Sequence, residues 1–143
     1  MVSVSMVLQM KGGEMFSTSP ESTVFDALKT MAGKNVGALL VLAEGTLVGI
    51  FSERDYARKV VLRGKFSRDT LVRDIMTPNP ITVRPDTGLE ECMRIMTTHQ
   101  VRHLPVLDGI AVAGVVSIGD VVKVIIESQQ DMIGHLERYI VGR

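Results

Sequence analysis

Two segments carry the side chains best suited to chemistry, Gly49-Ile50-Phe51-Ser52-Glu53-Arg54-Asp55 and Gly114-Val115-Val116-Ser117-Ile118-Gly119-Asp120. Each runs from an apolar stretch into Ser-x-x-Asp, which reads as a strand passing into a helix. A helix N-terminus offers unpaired N–H groups and partial positive charge, favourable for a phosphate. A carboxylate there can accept hydrogen bonds from two vicinal ribose hydroxyls, a division of labour that also operates in dinucleotide folds. The same spacing is that of a capping box, in which Ser52 with Asp55 and Ser117 with Asp120 serve only their own helices. Taken singly the segments favour capping, and both roles can hold at once. Arg102-His103 would supply charge for a phosphate, with Arg54, Arg58 and Lys59 as further cations near the first junction. For Arg58 and Lys59 a solvated face is the plainer reading.

The elements that position these groups come from a duplication. At a shift of 65, with no gap, Pro20 meets Pro85 and Met31 meets Met96, while Gly49, Ser52 and Asp55 meet Gly114, Ser117 and Asp120. Leu39, Val41 and Leu42 likewise meet Leu104, Val106 and Leu107. Within each copy, Ser22 or Thr87 is a candidate N-cap, and Thr23-x-x-Asp26 and Thr87-x-x-Glu90 match capping boxes. Val24, Ala27, Leu28 and Met31, and in the second copy Leu89, Cys92, Met93 and Met96, place one apolar stripe on each helix. Two strands joined by a tight turn at Glu44-Gly45 or Asp108-Gly109 follow, then a second helix from Ser52 or Ser117.

The fold class is therefore mixed α/β (α+β): two tandem repeats, each α-β-β-α after a short extended stretch. The expected division is 1–66 for an N-terminal segment and first repeat, 67–128 for a linker and second repeat, and 129–143 for a C-terminal amphipathic helix. Within the linker, Met76-Thr77-Pro78-Asn79-Pro80 cannot be helical because of its prolines.

Composition narrows the function classes. Sixteen basic residues balance sixteen acidic ones in 143 residues, with 4% aromatics and no basic run, so no electrostatic footprint for nucleic acid exists. No apolar run approaches a membrane span, and Met1 to Met10 lacks the charge placement of a signal peptide, which predicts a cytoplasmic protein. Cys92, the single cysteine, excludes an intrachain disulfide and points to a reducing compartment. It sits in an apolar stripe and reads as a buried, inert thiol. His99-x-x-x-His103 has the spacing of a helical metal pair, but Val101, Leu104 and Pro105 mark a helix exit there and no third ligand cluster is visible. His135 reads as surface. No serine has a convincing His and acid partner, and no P-loop is present, so catalysis finds no support.

The two junction segments, the linker Asp74-Ile75-Met76-Thr77 and Arg102-His103-Leu104-Pro105-Val106 together resemble the paired cystathionine β-synthase (CBS) domain, or Bateman module, in its standalone bacterial form. The resemblance covers nearly the whole chain. It implies two β-α-β-β-α repeats packed as a pseudo-twofold pair, binding AMP, ADP, ATP or NAD between them, with no catalytic cofactor and no metal. By family position Asp55, Asp120, Ser52 and Ser117 would hold ribose. Ser17, Thr18, Val36, Gly37, Ala38, Thr82, Val83 and Val101 would border the base, and Arg54, Arg58, Arg102, His103 and Gly119 the phosphate. The copies differ at these positions, Gly37-Ala38 standing where the second has Arg102-His103, so unequal clefts are expected. The resemblance further implies a homodimer acting on an unidentified regulated protein, without nucleic acid or membrane. The competing readings are a ligand-free dimerisation scaffold and a nucleotide-processing enzyme.

Overall fold

The computed structural model of the protein describes residues 2–140. In chain order the elements of the first half are α1 (Val4–Lys11), β1 (Ser17–Thr18), α2 (Val24–Lys34), β2 (Ala38–Ala43), β3 (Thr46–Ser52) and α3 (Glu53–Tyr56). After a π-helical turn over Ala57–Val61 come α4 (Val72–Ile75), β4 (Thr77–Pro78), α5 (Leu89–His99), β5 (His103–Asp108), β6 (Ala111–Ser117) and α6 (Ile118–Ile140).

Strand register reproduces the duplication residue for residue. β2 and β3 pair Ala38 with Ser52 and Ala43 with Thr46; β5 and β6 pair His103 with Ser117 and Asp108 with Ala111. Both hairpins carry an irregularity at the same place, between Val41 and Leu42 and between Val106 and Leu107. Thr18 pairs in parallel with Val41, and its equivalent Val83 bridges in parallel to Val106. The first hairpin turns through Glu44 and Gly45, both left-handed (φ 51° and 80°), the backbone that matches strand twist. The second turns through Gly109-Ile110, one residue later than the sequence suggests.

Each helix stripe is buried against its own hairpin. Val24, Ala27 and Met31 pack with Leu39, Val41 and Phe51, while Leu89, Cys92 and Met96 pack with Leu104, Val106 and Val116. Met93, placed in the second stripe by its spacing, is instead exposed. The caps differ between copies. Thr23 rather than Ser22 caps α2, its hydroxyl accepting from the Asp26 N–H at 3.1 Å. Gly88 stands at the cap of α5, and the Thr87 hydroxyl accepts from the Arg84 N–H instead.

Packing crosses the proposed boundary at residue 66. The apolar N-terminal stretch forms α1, whose Val4 and Val7 are fully buried in the second repeat's core. The Val4 N–H donates to the Thr87 carbonyl and the Leu89 N–H to the Val2 carbonyl. Reciprocally, Val72 and Ile75 of α4 lie in the first repeat's core, and the Val72 N–H donates to the Ser22 carbonyl. Within the linker, β4 pairs antiparallel with β3, Pro78 opposite Gly49 and Thr77 opposite Ile50, before the chain reaches the second sheet at Val83. Each copy thus covers the other with its leading helix. α6 runs unbroken from Ile118 to Ile140, joining the expected second helix to the terminal one; Val141, Gly142 and Arg143 lie outside the described residues.

Candidate functional site

Because the leading helices cross, the two strand-to-helix junctions face one another's repeats, and a cleft opens beside each. The first, of about 710 Å³, has Ser52 and Asp55 on one wall and Val101, Arg102 and His103 on the other. The second, of about 400 Å³, sets Ser117 and Asp120 against Val36, Gly37 and Ala38. Their linings correspond at the shift of 65: Val101 to Val36, His99 to Lys34, Ile81 to Phe16. Gly37, His103 and Ser117 line both, forming a shared wall.

Both junctions are capping boxes, and both aspartates also border a cleft. Asp55 Oδ2 accepts from the Ser52 N–H (3.0 Å) and hydroxyl (3.1 Å), while Oδ1 accepts from the Thr77 hydroxyl (3.2 Å) and pairs with Lys59 Nζ (3.0 Å). Lys59 also donates to the Ile75 carbonyl at 3.1 Å. Asp120 is less engaged. Its Oδ2 accepts from the Ser117 N–H at 2.9 Å and from Lys11 Nζ at 2.9 Å, and no hydrogen bond among the described residues reaches Oδ1.

Burial disfavours ionisation of Asp120, but the Ser117 N–H and the Lys11 ammonium outweigh it and hold its carboxyl below the ordinary value of 3.8. A carboxyl depressed on folding contributes stability that is present above its unfolded pKa and lost as pH falls through the folded one. Urea unfolding midpoints of the wild type should therefore fall on acidification below about pH 4, with a smaller fall in Asp120→Asn. Equal losses in both proteins would remove that contribution. His103 moves the other way from a cation's norm: burial lowers its pKa, Lys11 lowers it further against the opposing Asp120, and Arg102 adds to the lowering. His103 therefore brings less positive charge to the shared wall than a solvent-exposed imidazole would.

The cations sort into distinct places. Arg102 and Gly119 line the first cleft. Arg54 does too, but its guanidinium donates to the Gln100 carbonyl, where α5 ends in a left-handed residue and its dipole is negative. Arg58 is exposed in the π-helical turn and lines neither cleft. Lys11 and Lys34, which sequence reasoning did not single out, line the second cleft.

Four residues expected at the base lie elsewhere. Ser17 and Thr18 form β1, Val83 is buried in the second core, and neither they nor Thr82 line a cleft. Phe16 and Ile81, the matched apolar residues just before each pair, line the clefts instead. Their shared place in the repeat was the available signal. Lys34 Nζ lies 5.5 Å from the Phe16 ring centroid, so the aromatic wall carries a cation above it.

α5 ends at His99, Gln100 turns left-handed (φ 54°) and His103 opens β5, so the two imidazoles do not share a helical face although both line the first cleft. Among the described residues no group of three or more His, Cys, Asp or Glu is placed to hold a metal ion. Burial, with the neighbouring Glu91, pushes the Cys92 thiol up. Among the described residues no helix is long and apolar enough to cross a membrane.

A family model described as the CBS domain matches residues 13–62 and 72–127, leaving α1 outside both segments. CBS domain-containing protein CBSX3, mitochondrial, from Arabidopsis thaliana is 40% identical over 148 residues, covering 97% of this chain and 72% of that protein. A solved protein with CBS domains from Burkholderia ambifaria MC40-6 aligns with TM-score 0.86 and 44% identity, covering 90% of this chain and 96% of that one. The structure of CBSX2 in complex with AMP aligns with TM-score 0.71 and 28% identity, covering 90% and 99%.

Proposed function

This chain belongs to the CBS-domain family as a tandem pair, and from that premise we propose a sensor that binds an adenosine nucleotide or NAD in its clefts and passes occupancy to a partner. One observation carries the reading: each repeat sets a junction aspartate at the mouth of a cleft whose far wall belongs to the other repeat. A ribose would sit at the aspartate, a base against Val101 or Val36–Ala38 with Ile81 or Phe16 beside it, and phosphate by Arg102 and His103 or by the lysines. The AMP bound by CBSX2 supports the ligand class. The module regulates rather than catalyses. Ligand in a cleft that both repeats build shifts their relative arrangement only as far as it prefers one arrangement over another.

The partner surface in this reading is α6, which exposes Ile126, Ile133, Leu136 and Ile140 along its length; we take it as the seam of a homodimer. A cytoplasmic setting accords with the lone buried thiol.

Titrating AMP, ADP, ATP and NAD into purified protein tests the ligand. At about 100 times Kd a ligand stabilises the fold by about 2.7 kcal/mol, which should raise Tm by roughly 5 to 10 °C. An assembly that no adenosine compound stabilises, and that carries none in native mass spectrometry, would support the scaffold reading instead.

A further inference from the structure

We propose that Lys11 makes the second cleft selective for anionic ligands, acting beside Asp120 to hold a phosphate oxygen next to a sugar hydroxyl. The inference rests on the nucleotide reading above and adds which cleft takes the sugar phosphate and which residue demands the charge.

The donor and acceptor count of the two clefts separates them. An ammonium has three N–H donors. Lys11 spends two, on Asp120 Oδ2 (2.9 Å) and the Val115 carbonyl (3.0 Å), and it lines the second cleft with its side chain 27% exposed. A third donor therefore remains, on an ammonium bound to the same carboxylate whose Oδ1 receives no hydrogen bond among the described residues. Donor and acceptor side by side fit a ligand that carries an anionic oxygen near a hydroxyl. In the first cleft Asp55 already receives four donors, and Lys59 lines neither cleft. A sugar there would have to displace Thr77 or Lys59.

The difference is built into the chain. At the shift of 65, Lys59 corresponds to buried Val124, so α6 has no lysine at the place from which Lys59 pairs with Asp55. The cation arrives instead from α1, which the buried Val4 and Val7 anchor to the second repeat. An ammonium carried on a docked helix is held in place before ligand arrives, which lowers the cost of binding. Lys34 adds positive charge to this cleft, and Glu14 opposes it.

NMR titration of ¹⁵N-labelled protein with AMP and with adenosine reads the clefts separately, the Ala38 and Val115 amides reporting the second and the Ile50 and Ile81 amides the first. Lys11→Met should weaken AMP at the second cleft by about ten- to hundredfold, the range of a charge-assisted hydrogen bond, and change adenosine by less than about threefold. Lys11→Arg should restore most of the AMP affinity. AMP and adenosine weakened alike, or neither weakened, would overturn the assignment, as would wild-type shifts confined to the first cleft's amides. Wild type that binds neither compound would sink the nucleotide reading itself. Should Lys11→Met prove misfolded by circular dichroism, Lys11→Gln carries the same comparison.

Discussion

Gly49→Val is expected to destabilise the fold by about 3 kcal/mol, the upper part of the range for overpacked sites. A Cβ at Gly49 would lie 2.6 Å from Met76 Sδ and 2.9 Å from the Thr77 carbonyl oxygen. Met76 can swing away, but Thr77 belongs to β4, whose backbone is registered on β3 at Gly49 and Ile50. Relief therefore requires peeling β4 from the sheet. That would withdraw the Thr77 hydroxyl from Asp55 and open the first cleft's wall. Urea denaturation measures the cost, and the Thr77 amide resonance reports the peeling. The equivalent Gly114 supplies a contrast: its added Cβ would meet only the far end of the Leu8 side chain, at 2.8 Å, although its φ of 156° resists any side chain. Gly114→Ala should therefore cost less than Gly49→Val. A Gly49→Val protein within about 0.5 kcal/mol of wild type, the spread of ordinary surface substitutions, would show that β4 is not clamped by this approach.

The repeat explains both what could be read from the chain and what could not. Matched stripes on α2 and α5 and matched hairpins were legible because each is a local pattern whose packing and pairing partners include residues of the same copy. The aspartates were legible for the same reason, since their spacing from Ser52 and Ser117 is a property of one helical turn. Which wall each aspartate faces was not. The crossing of α1 and α4 is fixed by burial of Val4, Val7, Val72 and Ile75 in the opposite copy's core, and no short-range periodicity encodes a partner so far along the chain. Lys11 was invisible on that account: 109 residues separate it from Asp120. Arg58 looked useful from its closeness to Asp55, yet the helix widens into a π turn there and leaves Arg58 in solvent while Lys59 takes the carboxylate. Of the Ser17-Thr18 and Thr82-Val83 pairs, Ser17, Thr18 and Val83 are engaged in strand pairing or core while Thr82 is exposed, and the apolar residue preceding each pair is the one that lines a cleft.

Asp55→Ala and Asp120→Ala should separate into a stability variant and a binding variant. Removing the Asp55 carboxylate deletes a cap for the Ser52 N–H, strips Lys59 of its counter-charge and leaves the Thr77 hydroxyl without its acceptor. A lost cap alone costs about 1 kcal/mol and the unpaired polar groups a similar amount, giving a total of about 2 to 3 kcal/mol. Lys59 is 31% exposed on its side chain, so water recovers part of its solvation and keeps the figure from rising further. Asp120, at 20% side-chain exposure against 9% for Asp55, releases fewer donors and leaves Lys11 able to turn toward the cleft's solvent. Its removal should cost about 1 kcal/mol of stability. For ligand the order reverses. Asp120 offers a free oxygen to a hydroxyl, so Asp120→Ala should weaken AMP at the second cleft tenfold or more, about the value of one hydrogen bond to a charged group. Asp55 has little acceptor capacity left, so its effect on AMP affinity should stay below about threefold once the loss of folded protein is corrected for. Chemical denaturation and the cleft-resolved titration, run on both variants, give the four numbers. If Asp55→Ala abolished binding while Asp120→Ala spared it, the sugar would sit in the first cleft, displacing Thr77 and Lys59 to reach a carboxylate that its own neighbours already engage.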